Sequence, residues 1–226
     1  MRHLLSMMMI LSFGAFIQAG SVDSFDDITY WVGSGQNRAA LAIDWDGDNP
    51  DDHSLVWGFR WDGAATSEDM LRKVVLADPR LFAKISGPTS FGIGIFGIGY
   101  DLDGDTSFGI SDGTLFPAGG LVVGSPDDSA VATDAGDLYR EGFFAGFWAF
   151  GLSLGNPYAG GSWESALTGV SGETLADGDW NSLAFTVTFA DVFASNPQSA
   201  VVPEASTILL VGGALMGLFV GRRILS

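Results

Sequence analysis

Strict alternation of side-chain character is the feature that most narrows what this chain can fold into. In Ser54-Leu55-Val56-Trp57-Gly58-Phe59-Arg60-Trp61, the residues Leu55, Trp57, Phe59 and Trp61 share one parity. In residues 182–190 (SLAFTVTFA), Leu183, Phe185, Val187 and Phe189 do the same. Successive side chains of a strand point to opposite faces. Each run therefore lays an apolar stripe on one side of a sheet and small or polar groups on the other. Half-buried strands of this kind are typical of antiparallel sheets. Further strands are expected at residues 28–32, 38–45, 81–85, 121–123, 143–152 and 162–167.

Residues 91–100 (FGIGIFGIGY) carry a finer signal. Apolar residues occupy 91, 93 and 95, then 96, 98 and 100. The phase slips at Ile95-Phe96, which predicts a β-bulge or sharp bend. Gly92, Gly94, Gly97 and Gly99 leave one face bare, so a backbone or an aromatic ring should pack there. A single helix is expected over about 67–77. It has a hydroxyl N-cap at Thr66, Glu68 and Asp69 in its first turn, and Pro79 just beyond its end. Met70, Leu71, Val74 and Val75 give it one apolar face. The expected fold is mostly β: an antiparallel two-layer β-sandwich with one short α-helix over an edge or end.

The ends read differently. Arg2 followed by the apolar run 4–17 and Gln18-Ala19-Gly20 is the pattern of a secretory signal peptide, residues 1–20. The extracytoplasmic domain is expected over 21–194, with residues 119–138 a long surface loop around a short strand. Residues 195–201 (SNPQSAV) read as a polar linker. Residues 202–226 form a tail with an expected transmembrane helix at 206–221. Its apolar stretch 208–221 would be about 21 Å long as a helix, short for a span. Arg222 and Arg223 would keep its far end cytoplasmic.

All 27 acidic residues but only seven of the ten basic ones lie within residues 21–204, giving that span a charge of about −20. Phosphate backbones are repelled by such a surface, so nucleic acid is excluded as a partner. Cations and neutral polymers remain. The chain has no cysteine. Disulfides, thiol catalysis and a lipidated N-terminal cysteine are therefore excluded, and packing of seven Trp and seventeen Phe must hold the fold.

Two Asp-x-Asp-Gly-Asp segments are the main candidates for chemistry: Asp44, Asp46 and Asp48, and Asp101, Asp103 and Asp105. Carboxylates at positions 1, 3 and 5 of a turning loop converge on a hard cation, and calcium is the ion such loops suit. The second copy also has Asp112 at position 12. Neither copy has glycine at position 6, and both follow strands. Asp/Gly turns between strands use the same residues. Trp148, Trp163 and Trp180, near Gly-rich turns, are candidates for a glycan platform, although core packing uses tryptophan in the same way. His53 reads as a solvated turn residue.

With these residues in view, the tail has a family likeness. Val202-Pro203-Glu204-Ala205, the Gly- and Leu-rich run after it, and terminal Arg222-Arg223 resemble the PEP-CTERM sorting signal. Pro203 and Glu204 match the first two motif positions, and Ala205 replaces the second proline. The resemblance covers about residues 202–226. It implies an exported protein of a Gram-negative bacterium, recognised by an exosortase-type membrane protease. The precursor is held in the membrane by the tail, then delivered to the cell surface or an exopolysaccharide matrix. The order of Trp31-Val32-Gly33-Ser34-Gly35, Ile43-Asp44-Trp45 and the run 57–63 also looks like ectodomains fused to such tails, with no activity attached. The expected role is non-enzymatic, structural or interaction-forming. A glycan-binding module and a secreted hydrolase are the alternatives.

Overall fold

The computed structural model describes residues 21–49 and 53–203. Among these residues the domain is mostly β, with two sheets and one α-helix. In chain order the elements are β1 (Trp31–Gly33), β2 (Asn37–Asp44), β3 (Ser54–Trp61), α1 (Ser67–Ala77), β4 (Leu81–Ile85), β5 (Ile95–Tyr100), β6 (Leu121–Val123), β7 (Leu138–Glu141), β8 (Phe147–Leu154), β9 (Glu164–Ser165), β10 (Asp179–Thr186) and β11 (Gln198–Ser199). The larger sheet runs β1-β3-β2-β10-β8-β9, with β11 also on β3, and the smaller runs β6-β4-β5-β7.

The apolar stripe of β3 does what its alternation requires. Trp57, Phe59 and Trp61 join Leu41 and Ile43 of β2 and Leu183 and Phe185 of β10 in one core with Leu81, Ala83, Ile98 and Tyr100 of the smaller sheet. Both sheets thus bury a face in the same interior. Fully burying each Leu or Ile contributes about 1.5–3 kcal/mol, and no disulfide supplements this. Two tryptophan N–H groups find acceptors in that interior: Trp45 Nε1 donates to Ile98 O at 3.0 Å and Trp57 Nε1 to Asp78 Oδ2 at 3.0 Å.

Helix α1 packs its Met70, Leu71, Val74 and Val75 into the same core. Its start is fixed by a reciprocal cap: Asp69 N donates to Thr66 Oγ1, and Thr66 N donates to the Asp69 carboxylate.

The phase slip in 91–100 is a register shift. Lys84 faces Gly97 while Ile85 faces Ile95, leaving Phe96 as the extra residue. Aromatics cover the bare glycine face. A Cβ at Gly97 would meet the Tyr139 hydroxyl, and one at Gly99 would meet the Phe108 and Tyr139 rings. The ladder begins at Ile95 rather than at residue 91.

Several expectations are corrected. The sheets are mixed rather than antiparallel: β1 and β3, β2 and β10, β3 and β11, and β4 and β6 pair in parallel. The strand expected at 28–32 is reduced to the short β1, which follows a 3-10 turn at Phe25–Asp27. The strand expected at 143–152 is shifted to β8, and β7 precedes it. The strand expected at 162–167 shrinks to β9, with Leu167 fully exposed. Residues 195–201 are not a free linker. β11 pairs with Leu55 and Val56, Ser199 and Ala200 are buried, and the domain therefore runs to residue 200. No helix among the described residues is long and apolar enough to cross a membrane. The expected signal peptide, residues 1–20, and the expected helix at 206–221 fall outside the described residues.

Candidate functional site

The two Asp-x-Asp-Gly-Asp segments have the same sequence and different fates. The first begins at the last residue of β2. Asp44 is fully buried, and its Oδ2 accepts from Ser195 N and Ser195 Oγ, both at 2.8 Å, while Oδ1 accepts from Asp46 N at 3.0 Å. Burial pushes its carboxyl above the usual range, against the pull of these donors. Asp48 turns elsewhere. It accepts from Thr186 Oγ1 at 2.8 Å, Thr188 Oγ1 at 2.9 Å and Val187 N at 2.8 Å. Desolvation pushes its carboxyl up, but these donors together outweigh it and hold it below the usual carboxylate range. Asp44 thus ties the β2 end to Ser195, and Asp48 ties the turn to the end of β10. Asp44 and Asp48 each have donors of their own and act as a clamp, and the carboxylates that converge within 4.8 Å among the described residues do not include Asp44, Asp46 or Asp48. The clamp also ends β10 at Thr186, leaving Val187 and Phe189 exposed.

The second segment leaves β5 at Tyr100. Asp101 is 3% exposed; its Oδ1 accepts from Gly104 N at 2.7 Å and its Oδ2 from Thr106 N at 3.0 Å. Asp103 Oδ1 accepts from Asp105 N at 3.1 Å, and Asp105 Oδ1 from Ser107 N at 2.7 Å. Asp112 does not join them. Its Oδ2 lies 2.5 Å from Lys84 Nζ, and its carboxylate also accepts from Thr114 N and Oγ1. The third member of the group is Asp137. One oxygen from each of Asp101, Asp103 and Asp137 lies within 4.8 Å of the others. Asp137 is 9% exposed, and among the described residues neither of its carboxylate oxygens has a hydrogen-bond donor. Burial, and then the charges of Asp101, Asp134, Asp103 and Asp105, push its carboxyl up to about 6.

Topology explains why Asp137 is there. In the antiparallel β5–β7 pair the last rung is Tyr100 opposite Leu138. Asp101 and Asp137 are the next residues outward on the two strands, so the ladder itself brings them together. Gly136 completes the fit. A Cβ there would collide with Asp103 Oδ2, so its absence lets the two loops close. Spacing along the sequence pointed to Asp112. Only the pairing of β7, a short strand outside the expected set, could have pointed to Asp137.

The expected glycan platform does not form. Trp148 and Trp180 are buried, the first set edge-on to Trp45 and the second stacked on Phe25 at 5.1 Å. Trp163 is half-buried and stacks on Phe193. Exposed rings belong instead to phenylalanines, Phe91 among them. Phe143, Phe144 and Phe189 are each more than half exposed, with Phe147 stacked on Phe189. The backbone N–H groups of Phe143 and Phe144 both donate to Asp128, which fixes the turn that carries them. His53 is exposed, as expected of a turn residue.

At the C-terminal side, Val201 and Val202 are about half exposed, and Arg80 donates to the Val201 carbonyl. Pro203 is the last described residue. Glu204, Ala205, Arg222 and Arg223 lie outside the described residues. Compared with protein-family models, curated proteins and solved structures, the chain matches none.

Proposed function

We propose that this is an exported, non-enzymatic protein of the bacterial cell surface or exopolysaccharide matrix, a two-layer β-sandwich delivered by an exosortase-type sorting protease. The observation that carries the reading is the tail order: Pro203-Glu204, a Gly- and Leu-rich apolar run, then Arg222-Arg223. The place where the domain ends supports it. Packing stops at Ala200, and Pro203, the first residue of the motif, follows three residues later. A protease at the membrane surface would meet it without a long spacer. The strongly acidic surface suits a hydrated, anionic matrix environment held together by cations.

The test is surface fractionation of cells with and without the sorting protease. Full-length protein retained in the inner membrane of the deficient cells is the expected result. Unchanged surface delivery, or unchanged chain length, refutes the reading.

A second reading, a glycan-binding module, is favoured by the turn-anchored, exposed Phe143 and Phe144, whose rings meet edge to face. Sugar rings stack on exposed aromatic faces. Retention on polysaccharide that is lost in Phe144→Ala and kept in Phe91→Ala, another exposed phenylalanine, would support it. Equal retention of both variants would exclude that surface.

A further inference from the structure

We infer that Asp101, Asp103 and Asp137 form a calcium site that ties the start of the second acidic loop to the start of β7. The argument rests on geometry and on one unpartnered group. Calcium takes oxygen ligands at about 2.3–2.6 Å, so two oxygens on opposite sides of one ion stand about 5 Å apart. The three carboxylate oxygens, all within 4.8 Å of one another, fit inside that limit. The independent observation is Asp137. It is nine-tenths buried, its oxygens lack any donor among the described residues, and it lies against two further carboxylates. A buried carboxylate without a donor is costly, and proteins normally pair such groups or place a metal on them. Asp44 and Asp48 of the first acidic segment show the alternative, since each is satisfied by donors of its own. Asp101 spends its oxygens partly on Gly104 N and Thr106 N, which hold the carboxylate in place rather than neutralise it.

The donor set selects the ion. Only carboxylates converge, without imidazole or thiolate, which suits hard cations. Asp103 is exposed, so the site opens to solvent on one side and water can complete an irregular shell. Calcium accepts six to eight ligands in flexible geometry, whereas magnesium demands a near-ideal octahedron and dehydrates reluctantly. The structural effect follows from connectivity. The residues between Asp101 and Asp137 form a long excursion containing only the short β6, and the ion would close it at its base.

The test uses the full chain in non-ionic detergent, stripped with chelator and titrated with calcium chloride alone. One calcium per chain is expected, with an affinity of about 10⁻⁴–10⁻³ M, as in extracellular modules. At tenfold excess over the dissociation constant the melting temperature should rise. Asp103→Asn keeps the acceptor for Asp105 N and should weaken binding at least tenfold. Asp137→Asn should abolish the calcium-dependent rise while melting higher than the stripped wild type, because it removes the unpartnered charge. Glu164→Gln, the same charge change on exposed β9, should leave binding unaltered. Absence of binding at 10 mM calcium, undiminished binding in Asp103→Asn, or equal affinity for magnesium would each overturn the assignment.

Discussion

Replacing Lys84 with methionine tests how the long excursion between β5 and β7 is held to the smaller sheet. Lys84 lies on β4 and is almost wholly buried. Its Nζ stands 2.5 Å from Asp112 Oδ2, 2.9 Å from Glu141 Oε1 and 3.2 Å from Glu141 Oε2. Methionine preserves most of the stem's packing and removes the charge. The Glu141 side chain, fully inaccessible, then keeps only Asp127 N at 2.7 Å and the Tyr139 hydroxyl as donors. Breaking a buried pair by deleting one partner costs about 3–5 kcal/mol, and the two retained donors place this case at the low end, about 3 kcal/mol. A domain of this size shifts by about 2–4 °C per kcal/mol, so a fall of about 6–12 °C is expected. Melting of the full chain in detergent, followed by near-ultraviolet circular dichroism, reads it directly. The double variant Lys84→Met/Glu141→Gln removes the stranded charge as well and should recover at least half of the loss. A fall below 2 °C in the single variant, or a double variant no better than the single, would refute the reasoning. Burial pulls the Lys84 ammonium down, but the hydrogen bonds and charges of Asp112 and Glu141 outweigh it and hold it above its usual value. A raised lysine contributes its stability below the unfolded value, near 10.4, and loses it as pH rises through the folded one. Asp112 is held low by Lys84 and the Thr114 donors despite burial that pushes it up. Its contribution is present above the unfolded carboxylate value and fades as pH falls through the folded one. The gap between wild type and Lys84→Met should therefore be widest between about pH 5 and 10 and close on both sides.

Two further substitutions probe the scaffold. Thr66→Ala removes the hydroxyl that caps α1 and should cost about 1 kcal/mol, read as a lowered melting temperature with unchanged far-ultraviolet circular dichroism. Gly97→Ala places a Cβ against the Tyr139 hydroxyl on the β5–β7 pair and should cost about 1–3 kcal/mol. Alanine there without effect would mean that Tyr139 does not cover that face.

Where the sequence signal was local, it located structure well. The Thr66 cap, the acidic first turn and Pro79 bound a helix whose limits match α1, because all its determinants lie within one stretch of chain. The slip at Ile95-Phe96 is equally local and marks the bulge. Partners distant in sequence were not legible. β10 reads as half-buried, yet it is central, flanked by β2 and β8, and the Ala40–Ala42–Val56–Trp180 cluster buries the sheet's other face. β11 is two residues long and has no periodicity to show. The same limit applies to the acidic site. Asp101 and Asp103 were visible as a spaced pair. Counting twelve positions led to Asp112, whereas the β5–β7 register recruits Asp137 and leaves Asp112 to neutralise Lys84. The tryptophans misled for a related reason: Trp148 and Trp180 lie on strands whose two faces are both covered.

The parallel pairing of β2 with β10 has a consequence for timing. Trp180 opposes Ala40 and Leu183 opposes Ile43, so the middle of the larger sheet waits for residues made some 140 positions later. In the exported protein proposed above, the chain would emerge amino end first, and β2 would stand unpartnered on that side until β10 followed. β11 arrives later still and seals the edge of β3 just before Pro203. Under that proposal folding would be deferred to the end of passage: the chain would stay threadable while it crossed, and the completed sheet would then block its return.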